Sequence, residues 1–372
     1  MLKKTILFDW HLNSGARMAE FAGYEMPISY DPLSGGMKSE HLKVRQASGM
    51  FDVSHMGEFR ISGPQAAEFL SWVCTRPVQG LALGRAQYAL LLNSAGGIVD
   101  DVIVYKIAAS EFFMVVNASN IEKDFAHLQK LTAGFDVRLV NESEKWALIA
   151  IQGPEAMNIL SRRYKELDQI KYYSFRVESD CILSHTGYTG EDGLEIFLPP
   201  SKAPELWDWL FKAGVCPIGL GARDTLRLEV GFPLYGHELT DELFPSETMA
   251  AFAFDKAGRF YGKDRQPLHP RQQAICLLGD SPKPFRAGEK IFFEGQGAGE
   301  LTSGSYSPIL KRGMAVGLVA AALDLKNRPD GFIVEVESGG KLRQARLTTG
   351  PFVETSRVKR KIVTPAKKYE EG

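Results

Sequence analysis

Ile61-Ser62-Gly63-Pro64-Gln65-Ala66 returns, little changed, as Ile151-Gln152-Gly153-Pro154-Glu155-Ala156. Each copy joins an apolar, strand-like run to an apolar-periodic stretch, ending near Leu70 in the first and near Leu160 in the second. Proline fits the first helical turn, where its missing N–H would have had no partner. Both copies therefore read as strand, Gly-Pro turn, helix. The same order of elements follows each copy. After the first come Tyr88 to Asn93, a turn at Ser94 to Gly97, a strand over Ile98 to Ile107 and a helix over Asn120 to Leu131. After the second come Cys181 to His185, a turn at Gly187 to Gly193, a strand over Leu194 to Leu198 and a helix over Ala203 to Ala213. Chance could supply a six-residue match; the matching order around it predicts two related α+β modules.

Outward from these modules the pattern changes. Short apolar runs at Lys290 to Phe293, Met314 to Ala321 and Gly331 to Val336 alternate with Gly-rich turns. That alternation predicts a C-terminal β roll or barrel. Gln266 to Arg271, with Pro267 and Pro270, is the expected linker. The end of the chain is basic (Arg357, Lys359, Arg360, Lys361, Lys367, Lys368) and reads by default as a solvated tail.

A length of 372 residues, 44% hydrophobic and 24% charged, suits a globular chain of two or three domains. The formal net charge of -1 gives no bulk attraction to nucleic acid or to an anionic membrane. No run of about 18 apolar residues occurs, and the N-terminus lacks a secretory apolar region, so a soluble, unsecreted protein is expected. Cys74, Cys181, Cys216 and Cys276 form no CxxC pair and read as reduced thiols. The histidines match no zinc spacing, so no metal is expected.

Four stretches carry chemistry-bearing side chains. In Gly96-Gly97-Ile98-Val99-Asp100-Asp101-Val102-Ile103-Val104-Tyr105, adjacent carboxylates interrupt an apolar strand, where desolvation is costly without a partner. Neighbours on a strand point to opposite faces, so only one can face a given site. Both faces are otherwise apolar, and the pattern does not choose between a functional acid and a turn-proximal one capping backbone N–H groups. Thr186-Gly187-Tyr188-Thr189-Gly190-Glu191-Asp192-Gly193-Leu194-Glu195 is a tight turn entering a strand, either a plain hairpin or a place where backbone approaches a ligand. Gly219 to Glu229 opens a helix on which Arg223 and Arg227 share a face, as surface ion pairs or as a carboxylate clamp. In Gly49 to Gly57, His55 reads as a satisfied core histidine rather than a catalytic one.

Taken together and in order, these segments resemble the T protein (aminomethyltransferase) family of the glycine cleavage system. The resemblance runs through His11, Gly15 to Met18, Phe21-Ala22-Gly23, Met26-Pro27, Glu40-His41, Arg45 and Gly49 to Gly57. It continues through Tyr88, Gly96 to Asp101, Asn117, Glu122-Lys123-Asp124, Gly153-Pro154, Thr186 to Glu195, Gly219 to Glu229 and Leu234-Tyr235-Gly236. It ends in Gly299, Thr302-Ser303-Gly304, Ser307-Pro308 and Leu310, so it covers nearly the whole chain.

The resemblance implies an α+β fold of three lobes around a central folate channel: residues 1–57 with 150–265, residues 58–149, and a β barrel or roll over 272–372. It implies transfer of a methylene carbon from the aminomethylated lipoyl arm of the H protein to tetrahydrofolate, with ammonia released. By family position Asp101 is the catalytic carboxylate, and Tyr88, Asn117, Tyr188, Glu195 and Arg223 contact folate. Aromatic rings suit stacking on a pterin, and a carboxylate suits its N–H groups. The expected compartment is the cytoplasm, or the mitochondrial matrix in a eukaryotic source. Three places depart from the family pattern: Ala251 where tryptophan is usual, a slightly longer segment at Gly35-Gly36-Met37, and a less acidic Leu239-Thr240-Asp241. Two neighbouring classes share the scaffold. A folate-dependent demethylase differs in substrate. A folate-binding factor for iron–sulfur protein maturation carries Lys-Gly-Cys where this chain has Pro233-Leu234-Tyr235-Gly236.

Overall fold

The computed structural model describes residues 1–359. Its first part is built on two sheets of like design. One runs, in spatial order, Ala86–Leu92, Ile98–Ala108, Glu111–Val116, Gly57–Ser62 and Arg138–Asn141, all antiparallel. The other runs Phe175–Glu178, Cys181–Ser184, Gly193–Leu198, Ala147–Gln152, Gly49–Asp52 and Cys216–Pro217. In each, the repeated motif supplies one strand and a short helix, Ala66–Val73 or Ala156–Leu160. A three-strand meander follows, its last strand pairs back onto the first, and a second helix closes the module.

The echo extends to the backbone. Gly63 and Gly153 have φ of +131° and +132°, a region that side-chain-bearing residues avoid. A Cβ would lie 2.6 Å from the Asp136 carbonyl oxygen in the first copy and 2.4 Å from that of Ala47 in the second. The Gly63 N–H donates to Ser110 O and the Gly153 N–H to Asp192 O, in each case just before the strand that pairs back.

Within the two meanders, two strands go beyond the sequence reading, Glu111–Val116 and Phe175–Glu178, and they correct the alignment of the copies. Ile98–Ala108 corresponds to Cys181–Ser184, and Glu111–Val116 to Gly193–Leu198. The sequence Glu-Phe-Phe-Met-Val-Val hides its strand because both faces are buried. Phe112, Met114 and Val116 pack under helices, while Phe113 and Val115 pack toward the other sheet. No polar alternation is left to read.

The sheets meet face to face. Phe51, Tyr105, Phe113, Phe175 and Phe197 fill the space between them, with Tyr105 edge-on to Phe175 at 5.3 Å and Phe113 edge-on to Phe197 at 5.3 Å. Such pairs add about 0.5–1.5 kcal/mol each beyond area burial. The outer faces are covered by helices, Ala203–Lys212 on one side and Ile121–Leu131 on the other.

The third part is a closed six-stranded barrel in the order Gln272–Gly279, Arg312–Ala320, Gln296–Ser307, Lys290–Phe293, Ile333–Glu337, Leu342–Thr348. The expected linker lies between a short turn at Lys263–Arg265 and the first barrel strand. The barrel packs on helix Leu220–Glu229 through Leu228, Met314, Val316 and Phe352. Of the basic tail, Arg360, Lys361, Lys367 and Lys368 lie outside the described residues. Arg357 is not a free tail residue: its guanidinium pairs with Asp192 at 2.6 Å. Among the described residues no helix is long and apolar enough to cross a membrane.

Candidate active site

Where the shared core does not fill the space between the sheets, a cavity of about 480 Å³ remains. That volume is within the range of small-molecule sites. Tyr88, Asp101, Asn117, Tyr188, Glu195 and Arg223 all line it.

Strand register settles the question of the two aspartates. Along Ile98–Ala108, Val102 and Val104 pack beneath the helices, whereas Ile103 and Tyr105 face the other sheet. The pairing with Ala86–Leu92 slips between Leu91 and Leu92, leaving Val99 as a bulge. Asp100 thus joins the helix-facing set and Asp101 the cavity-facing set. Asp100 is the backbone-capping acid: it accepts the Asn117 N–H at 3.0 Å, Asn117 Nδ2 at 2.8 Å and Asn120 Nδ2 at 2.7 Å. Asn117 Nδ2 also donates to Asp101 Oδ1 at 2.8 Å, so one amide bridges the pair.

Burial, then the negative charge of Asp100, push the Asp101 pKa up to about 7, while Tyr88 and Asn117 pull the other way. The buried Tyr88 hydroxyl makes no full hydrogen bond among the described residues, but it lies near enough to Asp101 to lower the pKa of that carboxyl. Its ring stacks on Phe252 with centroids 5.5 Å apart and an interplanar angle of 23°. Phe252 adjoins the Ala251 departure and is 70% exposed. It lines the cavity mouth, and nothing in its spacing could have flagged it.

On the opposite sheet, Glu195 follows the same alternation: Leu194 and Ile196 face the helices, Phe197 the inter-sheet core. Burial raises the Glu195 pKa, and the Thr186 hydroxyl, which donates to it, opposes the rise along with the charge of Arg223. The turn before this strand is more than a plain hairpin loop. It delivers Tyr188 to the cavity wall, with its hydroxyl donating to the Pro233 carbonyl.

Helix Leu220–Glu229 carries two arginines with different fates. Arg227 is 1% exposed and fully engaged, with Glu238 and Asp224 each at 2.8 Å and Ser303 at 2.8 Å. It locks the helix to the barrel. Arg223, one turn earlier, makes no ion pair or side-chain hydrogen bond among the described residues. Its guanidinium lies 4.7 Å from the Tyr188 ring centroid, facing the cavity.

The reading of His55 needs correction. The ring is buried and edge-on to Phe21, but Nδ1 has no partner among the described residues and the residue borders the cavity. Burial, then the charge of Arg223, lower its pKa to about 4, so the ring is neutral at physiological pH. No cluster of His, Cys, Asp or Glu suited to a metal occurs among the described residues.

The arrangement suits a flat, nitrogen-rich ring with an anionic appendage. Aromatic walls offer stacking, Glu195 accepts N–H groups, Arg223 is free for an anion, and Asp101 can take a proton near neutral pH.

Comparisons with known proteins bear on the whole chain. Residues 7–257 match the family model described as GCVT N-terminal domain, and residues 271–354 match the glycine cleavage T-protein C-terminal barrel domain. The aminomethyltransferase of Deinococcus deserti is 45% identical, with 94% of this chain and 97% of that protein covered. An aminomethyltransferase of Thermus thermophilus is 44% identical, with 95% of this chain and 99% of that protein covered. The crystal structure of glycine cleavage system aminomethyltransferase T from Bartonella henselae matches with a TM-score of 0.90 at 33% identity, covering 96% of this chain and 100% of that one. Both family domains occur in order and the relatives match end to end, so the chain belongs to the glycine cleavage T-protein family of aminomethyltransferases.

Proposed function

We propose that this chain is the aminomethyltransferase of the glycine cleavage system, with Asp101 as its catalytic group. It takes the methylene carbon of the aminomethyl-dihydrolipoyl H protein to tetrahydrofolate, giving 5,10-methylenetetrahydrofolate, ammonia and the dihydrolipoyl H protein. Tetrahydrofolate is a co-substrate in this reading, and no metal takes part. The observation that carries it is a single cavity combining a carboxyl poised near neutrality, a second buried carboxylate and an unpaired arginine.

The attacking folate nitrogen gains positive charge as its bond to carbon forms. Asp101 stabilises that charge and accepts the proton. Tyr88 and Tyr188 stack on the substrate, Glu195 accepts its N–H bonds, and Arg223 binds negative charge. Asn117 spends its NH2 on the two aspartates, so its carbonyl oxygen is the atom left for folate. The three lobes expected from the sequence, 1–57 with 150–265, 58–149 and 272–372, belong to the same proposal; the residues lining the cavity come from the ranges of the first two. So does docking of the H protein on the basic tail, most of which lies outside the described residues. The cytoplasm, or the mitochondrial matrix of a eukaryote, is the compartment this reading implies.

The test is ammonia release from aminomethylated H protein with and without tetrahydrofolate. Strong dependence on folate is the expected result; release at the same rate without it would refute the assignment. Reversing Lys359, Arg360 and Lys361 to Glu should raise the KM for H protein at low salt.

A further inference from the structure

Behind Asp101, on the far side of its strand, stands an acid that the proposed reaction does not use. Asp124, in the first turn of helix Ile121–Leu131, is 0% exposed, and neither of its oxygens meets a donor among the described residues. The adjacent Lys123 spends its ammonium elsewhere: on Val99 O at 2.7 Å, on the Tyr235 hydroxyl at 2.5 Å and on Asp241 at 3.3 Å. What Asp124 does face, within hydrogen-bonding reach, is the equally buried carboxyl of Asp100. Both are acceptors when ionised. A bond between them needs one proton.

Asp100 is the better place for the negative charge, since it already accepts from the Asn117 N–H, Asn117 Nδ2 and Asn120 Nδ2. Asp124 has no such donors and is the better place for the proton. The other titratable groups around the pair are Lys123 and His127 on the same helix, Asp101 on the strand of Asp100, Tyr88 on the next strand, and Tyr235 with Asp241 from the segment after helix Leu220–Glu229.

We propose that Asp124 is a positioning residue that stays protonated in the working enzyme and donates its hydrogen bond to Asp100. Through Asp100 and the bridging amide of Asn117, it fixes the orientation and proton affinity of Asp101. The pair is thus one buried carboxylic acid and one carboxylate, linked to the cavity by the order Asp124, Asp100, Asn117, Asp101. Burial and the charge of Asp100 hold the Asp124 carboxyl far above the usual carboxylate range. The same charge of Asp100 is, after burial, what raises Asp101. The role in catalysis rests on the function proposed above; the protonation of Asp124 does not.

Infrared spectroscopy of the unliganded protein at about pH 9, well above ordinary carboxyl values of about 4, tests the protonation directly. The C=O band of a carboxylic acid should be present in the wild type and diminished in Asp124→Asn. Burial also pushes up the carboxyl of Glu58, whose oxygens have no partner among the described residues, so any band from it is removed by taking the difference between the two proteins. The positioning role is read from kinetics. Asp124→Ala should lower kcat severalfold at unchanged KM for folate, and Asp124→Asn, whose amide still donates, should restore it with the acid limb of the pH profile in place. Asp100→Asn removes the anion beside Asp101 and should move that limb down by roughly one pH unit. No band difference, or a limb displaced as far in Asp124→Asn as in Asp100→Asn, would mean Asp124 is ionised and overturn the proposal. A band difference with an unmoved limb in Asp100→Asn would overturn the positioning role. A wild type that shows the band but releases ammonia independently of folate would refute the proposed function and leave the acid pair standing.

Discussion

Asp101 is held where its proton is exchangeable near neutral pH, by burial and by Asp100 against the pull of Tyr88 and Asn117. In the proposed reaction the carboxylate is the working form, so turnover should fall as pH drops through about 7. Asp101→Asn should lose roughly 10²–10⁴-fold in turnover while keeping most of the folate affinity; a fully active variant would sink the assignment. The same shift has a consequence for stability. An acid whose pKa is raised on folding from about 4 binds more protons in the native state, so it costs stability as pH rises toward its folded value. Asp101→Asn should therefore melt higher than the wild type at pH 8 and no higher at pH 4, as measured by calorimetry. Glu195→Ala should weaken folate binding about tenfold to a hundredfold, the cost of one charge-assisted hydrogen bond; unchanged affinity in a folded variant would count against a contact at Glu195. At this scale the residues alone state only that Asp100 and Asp101 face opposite ways. Which of them reaches the cavity depends on the bulge at Val99 and on what packs against each face. Neither is encoded in an apolar-on-both-sides strand.

Among the elements, the Gly-Pro turns are the most legible. Glycine before proline at the head of a helix announces itself twice, and the φ values at Gly63 and Gly153 explain why the glycine is needed. Gly153→Ala would combine a strained φ with a Cβ 2.4 Å from the Ala47 carbonyl oxygen. A residue forced into such a region costs of order 1–3 kcal/mol. Denaturant unfolding should show a loss of at least that size, with kcat per folded molecule unchanged, since the turn does not touch the cavity. A fall in kcat without loss of stability would show that the turn has a role in the site. The strands Glu111–Val116 and Phe175–Glu178 are illegible for opposite reasons. The first is apolar on both faces. The second, Phe-Arg-Val-Glu, exposes Val177 at a sheet edge, and its four residues are too few to establish a period. Asp124 is legible only as part of a resemblance. Nothing local tells a buried acid from an ordinary first-turn acid on a helix.

Over the whole molecule, the chain after the barrel doubles back to the first part and ties down the turn that carries Tyr188. The Phe352 N–H donates to Glu229 O at 2.9 Å. The Thr355 hydroxyl donates to Gly190 O at 2.5 Å, and Ser356 Oγ to Glu191 at 3.0 Å. Arg357 closes the strap on Asp192, which also pairs with His185 at 2.6 Å. The turn is thus held from outside by the C-terminal strap and from below by Arg45, which reaches both Thr189 O at 2.7 Å and Glu191 at 3.0 Å. Ordering a turn before the ligand arrives removes that entropy cost from binding. Loss of the strap should therefore appear in affinity and not in the chemical step. The variant Thr355→Ala with Arg357→Ala removes two polar ties and leaves the buried Phe352 and Val353 in place. Arg357 and Asp192 are partly solvated, which weakens their pair relative to a buried one. The expected effect is a rise of up to about tenfold in the KM for folate, with kcat and the acid limb near pH 7 unmoved. Amide hydrogen exchange should quicken across Gly187 to Asp192 and stay slow in the strand Gly193–Leu198, whose ladder to Ala147–Gln152 is independent of the strap. Exchange in the turn at the wild-type rate would mean that Arg45 alone orders it and that the strap serves only to hold the barrel.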